Sequence, residues 1–220
     1  MRQLILDLLP ENPPSLDNFV TGGNAEALAA LSAWASPEGF ETSLLLCGES
    51  GSGKTHLLRA CADAYHDALA TPDLEAIAPS GEMPPRVAVD NVEALSGAGQ
   101  IVLFSLFNRR RADGGRLLTA ATQPPRRLRL REDLRTRLGS GLVFCLRSLT
   151  DEEKRDALAA QAAARALPLP PGALEYLLVR ARRDMRHLMT ILAALDRYSL
   201  ECQRPITLPL LREVLRHSFQ

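Results

Sequence analysis

The sequence predicts an α/β fold in which a five-stranded parallel sheet is covered by helices and followed by a smaller, all-helical lobe. Short apolar runs alternate with helix-forming stretches over roughly the first two thirds of the 220 residues, and this alternation is typical of a parallel sheet covered on both faces. After Leu149 only helical patterns remain. We therefore expect one large α/β lobe and one small helical lobe.

The apolar runs and their breakers define the expected elements of the first lobe. Strands are predicted at 43–47, 74–78, 86–89, 116–120 and 142–146. Helices are predicted at 24–35 and 98–111. A third helix is expected after residue 55, because Leu57, Leu58, Cys61, Ala62 and Tyr65 repeat at helical spacing as far as the Thr71-Pro72 break.

A capping box opens the helical lobe. Thr150 and Glu153 have the S/T-x-x-E spacing in which each side chain bonds to the other residue's backbone, which predicts a helix running to about Ala166. Further helices are expected at 172–181, 184–201 and 208–216, separated by proline breaks. The domains are thus an N-terminal peptide and tether at 1–14, an α/β core at 15–148 and a helical lid at 149–220.

A complete phosphate-loop motif follows the first predicted strand. The pattern G-x-x-x-x-G-K-[ST] is made by Gly48, Glu49, Ser50, Gly51, Ser52, Gly53, Lys54 and Thr55. In such a loop the backbone N–H groups surround phosphate oxygens, the lysine reaches the β- and γ-phosphates, and the threonine hydroxyl binds Mg²⁺. The motif predicts a protein that binds a nucleotide together with Mg²⁺.

The strand predicted at 86–89 delivers a carboxylate, Asp90, that we expect to hold the Mg²⁺ shell together with Thr55. The next residue is Asn91, which cannot accept a proton from an attacking water, so we expect weak intrinsic hydrolysis. Glu93 could substitute in part, but a surface or partner contact is the favoured interpretation.

The charge balance, the cysteine spacing and the hydropathy argue against a nucleic-acid-binding face, a cysteine metal site and a membrane span. Lys+Arg and Asp+Glu are balanced at 26 each, which argues against a broad basic face for nucleic acid. The four cysteines lack metal-ligand spacing, and they are expected to be reduced core residues. Without a signal peptide or a membrane-spanning stretch, the protein is expected in the cytoplasm with no membrane partner.

These motifs resemble those of AAA+ proteins, and more closely the nucleotide-binding module of the bacterial replication initiator DnaA. The resemblance is carried by Asn18-Phe19-Val20-Thr21-Gly22, Gly53-Lys54-Thr55-His56-Leu57-Leu58, Phe107-Asn108 and Arg135-Thr136-Arg137-Leu138. It implies the strand order 5-1-4-3-2 and nucleotide-site roles for further residues. Asn18, Phe19 and Val20 would line the adenine pocket, and His56 is typical of this family's loop.

Two arginines also acquire roles from this resemblance. Arg137 would be an arginine finger that enters the nucleotide site of a neighbouring DnaA subunit, the alternative being a surface ion pair with Glu132 or Asp133. Arg186 would be the lid arginine that leans over phosphates of the chain's own nucleotide. The arginine-rich run from 126 to 137 favours protein contact over nucleic acid. Where the family commonly has aspartate, this chain has Thr122, which again weakens the case for autonomous hydrolysis.

The N-terminal residues Gln3, Leu4, Leu6 and Leu8 fit the Q-L-x-L-x-L peptide with which replication proteins bind the DNA polymerase III sliding clamp (β subunit). An apolar edge strand packed on the body would look similar. A clamp peptide on a DnaA-like body, with no helix-turn-helix for sequence-specific DNA, resembles the layout of the Hda family, the regulatory inactivators of DnaA. The implied partners are DnaA and the clamp.

Two other classes of function stay open at this point. One is an ATP-hydrolysing helicase loader or motor with the same fold, and the other is a structural adaptor whose nucleotide is a permanent folding cofactor. The sequence also leaves open whether the chain forms a homodimer, and whether ADP or ATP is the working ligand.

Overall fold

Five parallel strands form a single sheet in the order β2-β3-β4-β1-β5, which confirms the predicted order 5-1-4-3-2. The structure is a computed structural model and describes residues 13–77, 83–181, 184–202 and 205–217. The strands are β1 (Ser43–Cys47), β2 (Ala64–Asp67), β3 (Arg86–Asp90), β4 (Arg116–Ala121) and β5 (Leu142–Cys145). Because all five are parallel, their carboxyl ends lie along one edge of the sheet.

Helices cover both faces of this sheet. They are α1 (Ala25–Ala35), α2 (Lys54–Cys61), α3 (Gly97–Asp113) and α4 (Glu132–Leu138). Successive residues of β1 enter two separate cores: Leu44 and Leu46 pack in the cluster that contains α1 and α2, and Leu45 packs in the cluster that contains α3 and α4. The uninterrupted apolar composition of β1 therefore reflects a strand that is buried on both faces.

The region between α2 and β3 differs from the sequence prediction. Helix α2 ends at Cys61, and Tyr65 lies in the edge strand β2, which pairs in register with β3. The strand predicted at 74–78 was wrong, because 74–77 form turns in which Leu74 is buried. Apolar residues keep helical spacing beyond Cys61 by coincidence, and the pairing of this segment with β3 outweighs that local pattern.

The expectation that all cysteines are reduced was also wrong. Cys47 of β1 and Cys145 of β5 are direct partners in the parallel register, with their Cα atoms 4.3 Å apart, and they form a disulfide. Partners in adjacent strands direct their side chains to the same face, which brings the two sulfur atoms together. Cys61 is free and buried, as predicted.

The chain divides into two compact units, one at Pro13–Ser148 and the other beginning at Leu149. The second unit contains α5 (Asp151–Ala164), α6 (Ala173–Arg180), α7 (Met185–Cys202) and α8 (Leu208–His217), with a core of its own. The capping box is confirmed, since Thr150 Oγ1 accepts from Glu153 N and the Glu153 carboxylate accepts from Thr150 N. No helix in the described parts of the chain is long and apolar enough to cross a membrane.

Candidate functional site

The phosphate-loop residues join the end of β1 to the start of α2, and at two of the loop glycines both the φ angle and a close neighbour exclude a side chain. Gly48 has φ +148°, and a Cβ there would lie 2.6 Å from the carbonyl oxygen of Leu146. Gly53 has φ +98°, and a Cβ there would lie 2.5 Å from the ring of Phe19. Because other residues rarely adopt such φ values, these glycines are required by the loop geometry and not by flexibility.

Lys54 and Ser52 point to an anionic ligand for this loop. The Lys54 ammonium donates to the carbonyl oxygens of Gly48 (2.6 Å) and Glu49 (2.8 Å), and burial lowers its pKa although Asp90 and Glu93 partly oppose this. The Ser52 hydroxyl is buried and has no hydrogen-bond partner within the described residues. A buried ammonium and an unsatisfied hydroxyl at the start of a helix fit a phosphate group.

Asp90 lies at the carboxyl end of β3 and is only 1% exposed. Its Oδ2 accepts a hydrogen bond of 2.6 Å from the Thr55 hydroxyl, and its Oδ1 accepts from the backbone N–H of Asn91. A threonine that donates its proton to a carboxylate keeps its oxygen lone pairs available for a cation. The residues present therefore fit Mg²⁺, which binds through few protein oxygens together with waters and phosphate.

Sequence reasoning missed Tyr65 as a member of this site. Its hydroxyl donates to Asp90 Oδ2 at 2.9 Å, and the Arg59 guanidinium lies 4.4 Å from the centre of its ring. Burial, followed by the charge of Asp90, raises the pKa of Tyr65 to about 12. Tyr65 fits the helical repeat of α2 in the sequence, so only the strand pairing of β2 with β3 shows its place beside Asp90.

Asn91 and Glu93, which follow β3, are each engaged elsewhere in the first unit. Asn91 has φ +55°, and its side-chain amide donates to Asp67 Oδ1 of β2 at 2.8 Å. Glu93 is exposed, yet its Oε1 accepts from the backbone N–H of Thr122 at 2.9 Å. Asn91, directly after Asp90, is thus tied to the edge strand by its side-chain amide, which cannot act as a base.

The segment expected to line an adenine pocket lies against the loop. The Phe19 ring is 5.7 Å from the ring of His56, centre to centre, and packs over Gly53. His56 Nε2 is 2.9 Å from the carbonyl oxygen of Ser15, which ties this segment to α2. The side chain of Asn18 is instead used within its own turn, where it bonds to backbone atoms of 13 and 15. Val20 is half-buried in the same segment.

Arg137 lies on α4, which is anchored by the buried side chains of Leu134 and Leu138. The two acids considered as its ion-pair partners are bound to other arginines. Asp133 pairs with Arg131 at 2.9 Å, and Glu132 lies 3.9 Å from Arg135. The Arg137 side chain is half-buried and has no hydrogen-bond or ion-pair partner among the described residues.

Two further groups of predicted site residues belong to other parts of the chain. Arg186 belongs to α7 of the second unit, where its backbone N–H donates to Asp184 Oδ1. Its role toward a nucleotide stays a prediction. The clamp-peptide residues Gln3, Leu4, Leu6 and Leu8 lie outside the described residues.

Comparison with known proteins bears on the fold and the lid. Residues 151–215 match the family model described as Hda, lid domain. DnaA domain III of Thermotoga maritima is similar with a TM-score of 0.72 at 22% identity, covering 95% of this chain and 98% of that one. AMPPCP-bound DnaA from Aquifex aeolicus has a TM-score of 0.66 at 21% identity, covering 89% of this chain and 71% of that one.

A RuvB variant from Thermotoga maritima is also similar, with a TM-score of 0.65 at 21% identity, covering 93% of this chain and 72% of that one. The shared architecture is the α/β core with its helical lid. The chain therefore has the fold of DnaA domain III, and its residues 151–215 are similar to the lid domain of Hda.

Proposed function

We propose that this chain regulates replication initiation by stimulating hydrolysis of ATP bound to DnaA, while it is itself bound to ADP or ATP with Mg²⁺ and to the sliding clamp. Gly48–Thr55 and Asp90 would hold the nucleotide, and Gln3, Leu4, Leu6 and Leu8 would bind the clamp. Its place of action would be the cytoplasm, at replicating DNA. The lid match to the Hda family supports this choice among AAA+ functions.

The observation that carries the proposal is the state of Arg137. The two nearby acids pair with other arginines, Asp133 with Arg131 and Glu132 with Arg135. The guanidinium of Arg137 has no partner among the described residues. Two buried leucines, Leu134 and Leu138, hold the helix that carries it against the core. A preorganised cation that neutralises charge developing on a transferring phosphoryl group is worth about 10³- to 10⁵-fold in rate.

The chain's own residues favour activation in trans over autonomous hydrolysis. Asn91 is hydrogen-bonded to Asp67 and has no proton-accepting group for an attacking water. When bound, Mg²⁺ would neutralise phosphate charge, and Thr55 and Asp90 would hold it. The proposal therefore separates nucleotide binding by this chain from the hydrolysis that it stimulates in its partner.

The test is phosphate release from ATP-loaded DnaA in the presence of DNA-loaded clamp. We expect strong stimulation by the intact chain, and loss of stimulation by Arg137→Ala and by Gln3→Ala. Arg135→Ala is the matched control, because it removes a guanidinium from the same helix that already lies near Glu132, and it should keep most of the stimulation.

Other outcomes select the other functions. Substantial DNA-stimulated ATP hydrolysis by the chain alone would identify a motor. No ATP hydrolysis, either by the chain alone or with DnaA and loaded clamp, would favour a structural adaptor. Equal loss of activity in Arg135→Ala and Arg137→Ala would mean that the helix surface as a whole is needed, and the finger assignment would then be wrong.

A further inference from the structure

Asp90 is surrounded by donors from three different elements. Its Oδ2 accepts from the hydroxyls of Thr55 on α2 (2.6 Å) and Tyr65 on β2 (2.9 Å), and its Oδ1 accepts from the backbone N–H of Asn91 (2.9 Å). A carboxylate offers about four acceptor positions, so one position on Oδ1 is left after these three bonds. The tyrosine therefore helps to determine which oxygen faces which donor.

The Tyr65 hydroxyl is itself held in place. In the β2–β3 register Tyr65 lies opposite Ala88, and Asp67 lies opposite Asp90. Because side chains two residues apart on a strand share a face, the Tyr65 side chain is on the same face of the sheet as Asp90. The Arg59 guanidinium covers its ring. A tyrosine hydroxyl is protonated at physiological pH, so this one can donate to the carboxylate.

We propose that Tyr65 is a positioning residue of the Mg²⁺–nucleotide site, whose hydroxyl keeps the Asp90 carboxylate in the orientation that binds Thr55 and leaves the remaining Oδ1 position for the Mg²⁺ shell. This inference rests on the proposed nucleotide site and adds a residue to it. Hydrogen bonds to the groups that hold a metal commonly change its affinity about 10- to 100-fold when they are removed.

A merely structural tyrosine would behave differently. If Tyr65 only completed the packing of the edge strand, its loss would loosen the loop and weaken nucleotide binding whether or not Mg²⁺ is present. If it acts through Asp90, only the Mg²⁺-dependent part of the affinity is lost. Comparison of binding in Mg²⁺ with binding in EDTA therefore separates the two roles.

The experiment measures the affinity of the full chain for ADP by calorimetry, in Mg²⁺ and in EDTA. For Tyr65→Phe we expect about 10-fold weaker binding in Mg²⁺ and less than about 2-fold change in EDTA. Tyr176→Phe is the control, because Tyr176 also lies beneath an arginine, Arg212, but is not among the donors to Asp90. It should change neither affinity.

A second variant keeps the test decisive. In an Asp90→Asn background, Tyr65→Phe should have no further effect on the Mg²⁺-dependent affinity, since the two side chains act as one unit. Equal weakening in Mg²⁺ and EDTA, no weakening in either, or an unchanged effect in the Asp90→Asn background would each overturn the inference. Absence of any ADP binding by the unmodified chain would instead count against the proposed function.

Discussion

Breaking the Cys47–Cys145 bond is expected to destabilise the first unit substantially. The bond joins residues 98 positions apart, and for a closed loop of that length the lost chain entropy of the unfolded state corresponds to about 4.7 kcal/mol. Measured values are typically about 2–4 kcal/mol. We therefore expect reduction of the bond to lower the free energy of unfolding by about 2–4 kcal/mol.

Trp34 provides the signal for this measurement, because it is the only tryptophan and is 1% exposed in α1 of the same unit. Urea unfolding of the oxidised chain would be followed by its fluorescence with and without dithiothreitol. Cys145→Ser should match the reduced chain and no longer respond to the reductant, whereas Cys61→Ala should keep the response. A midpoint that dithiothreitol does not change, or alkylation of Cys47 and Cys145 in the oxidised chain before reduction, would refute the reasoning.

Three further substitutions test individual features of the fold. Gly53→Ala, which places a Cβ at φ +98° against Phe19, should cost about 1–3 kcal/mol in urea unfolding, whereas Gly97→Ala, with open space around its Cβ, should be close to neutral. Thr150→Ala removes one half of the capping box and should cost about 1 kcal/mol of lid stability in urea unfolding followed by circular dichroism, and a change below about 0.3 kcal/mol would contradict it. Hydrogen bonds from Arg86 lower the pKa of Asp63, so this carboxylate contributes stability above its ordinary pKa and loses that contribution as pH falls through the lowered value. Asp63→Asn should thus cost about 0.5–1 kcal/mol at pH 7, and its difference from the unmodified chain should vanish in acid. A difference that does not shrink as pH falls below 3.8, the ordinary pKa of aspartate, would exclude this ion pair as the cause.

Local patterns were sufficient for the parts of the site that lie within one segment. The phosphate-loop motif, Asp90 at the end of β3 and the capping box at Thr150 each depend on spacing along the chain, and the structure has each of them on the expected element. The strand order followed from a resemblance, and the sheet confirms it.

The sequence predictions were wrong for residues whose surroundings depend on pairing with another strand. Tyr65 continues the helical repeat of α2, and nothing local shows that it lies beside Asp90. The hydrogen bond of Asn91 to Asp67 likewise depends on the pairing of β2 with β3. The strand predicted at 74–78 failed for the same reason, since a short apolar run does not identify its pairing partner.

The sequence by itself determined the fold class, the phosphate loop and the residue types available for nucleotide chemistry, because these depend on periodicity and on spacing over a few residues. Only the tertiary structure decided that Tyr65 shares Asp90 with Thr55, that Arg137 is left without the nearby acids, and that Cys47 meets Cys145. The contacts of Tyr65 and of Cys47 join residues separated by a strand or more, and the register of the sheet sets them. The state of Arg137 depends on which neighbouring arginines take Asp133 and Glu132, and the spacing of these residues does not specify that choice.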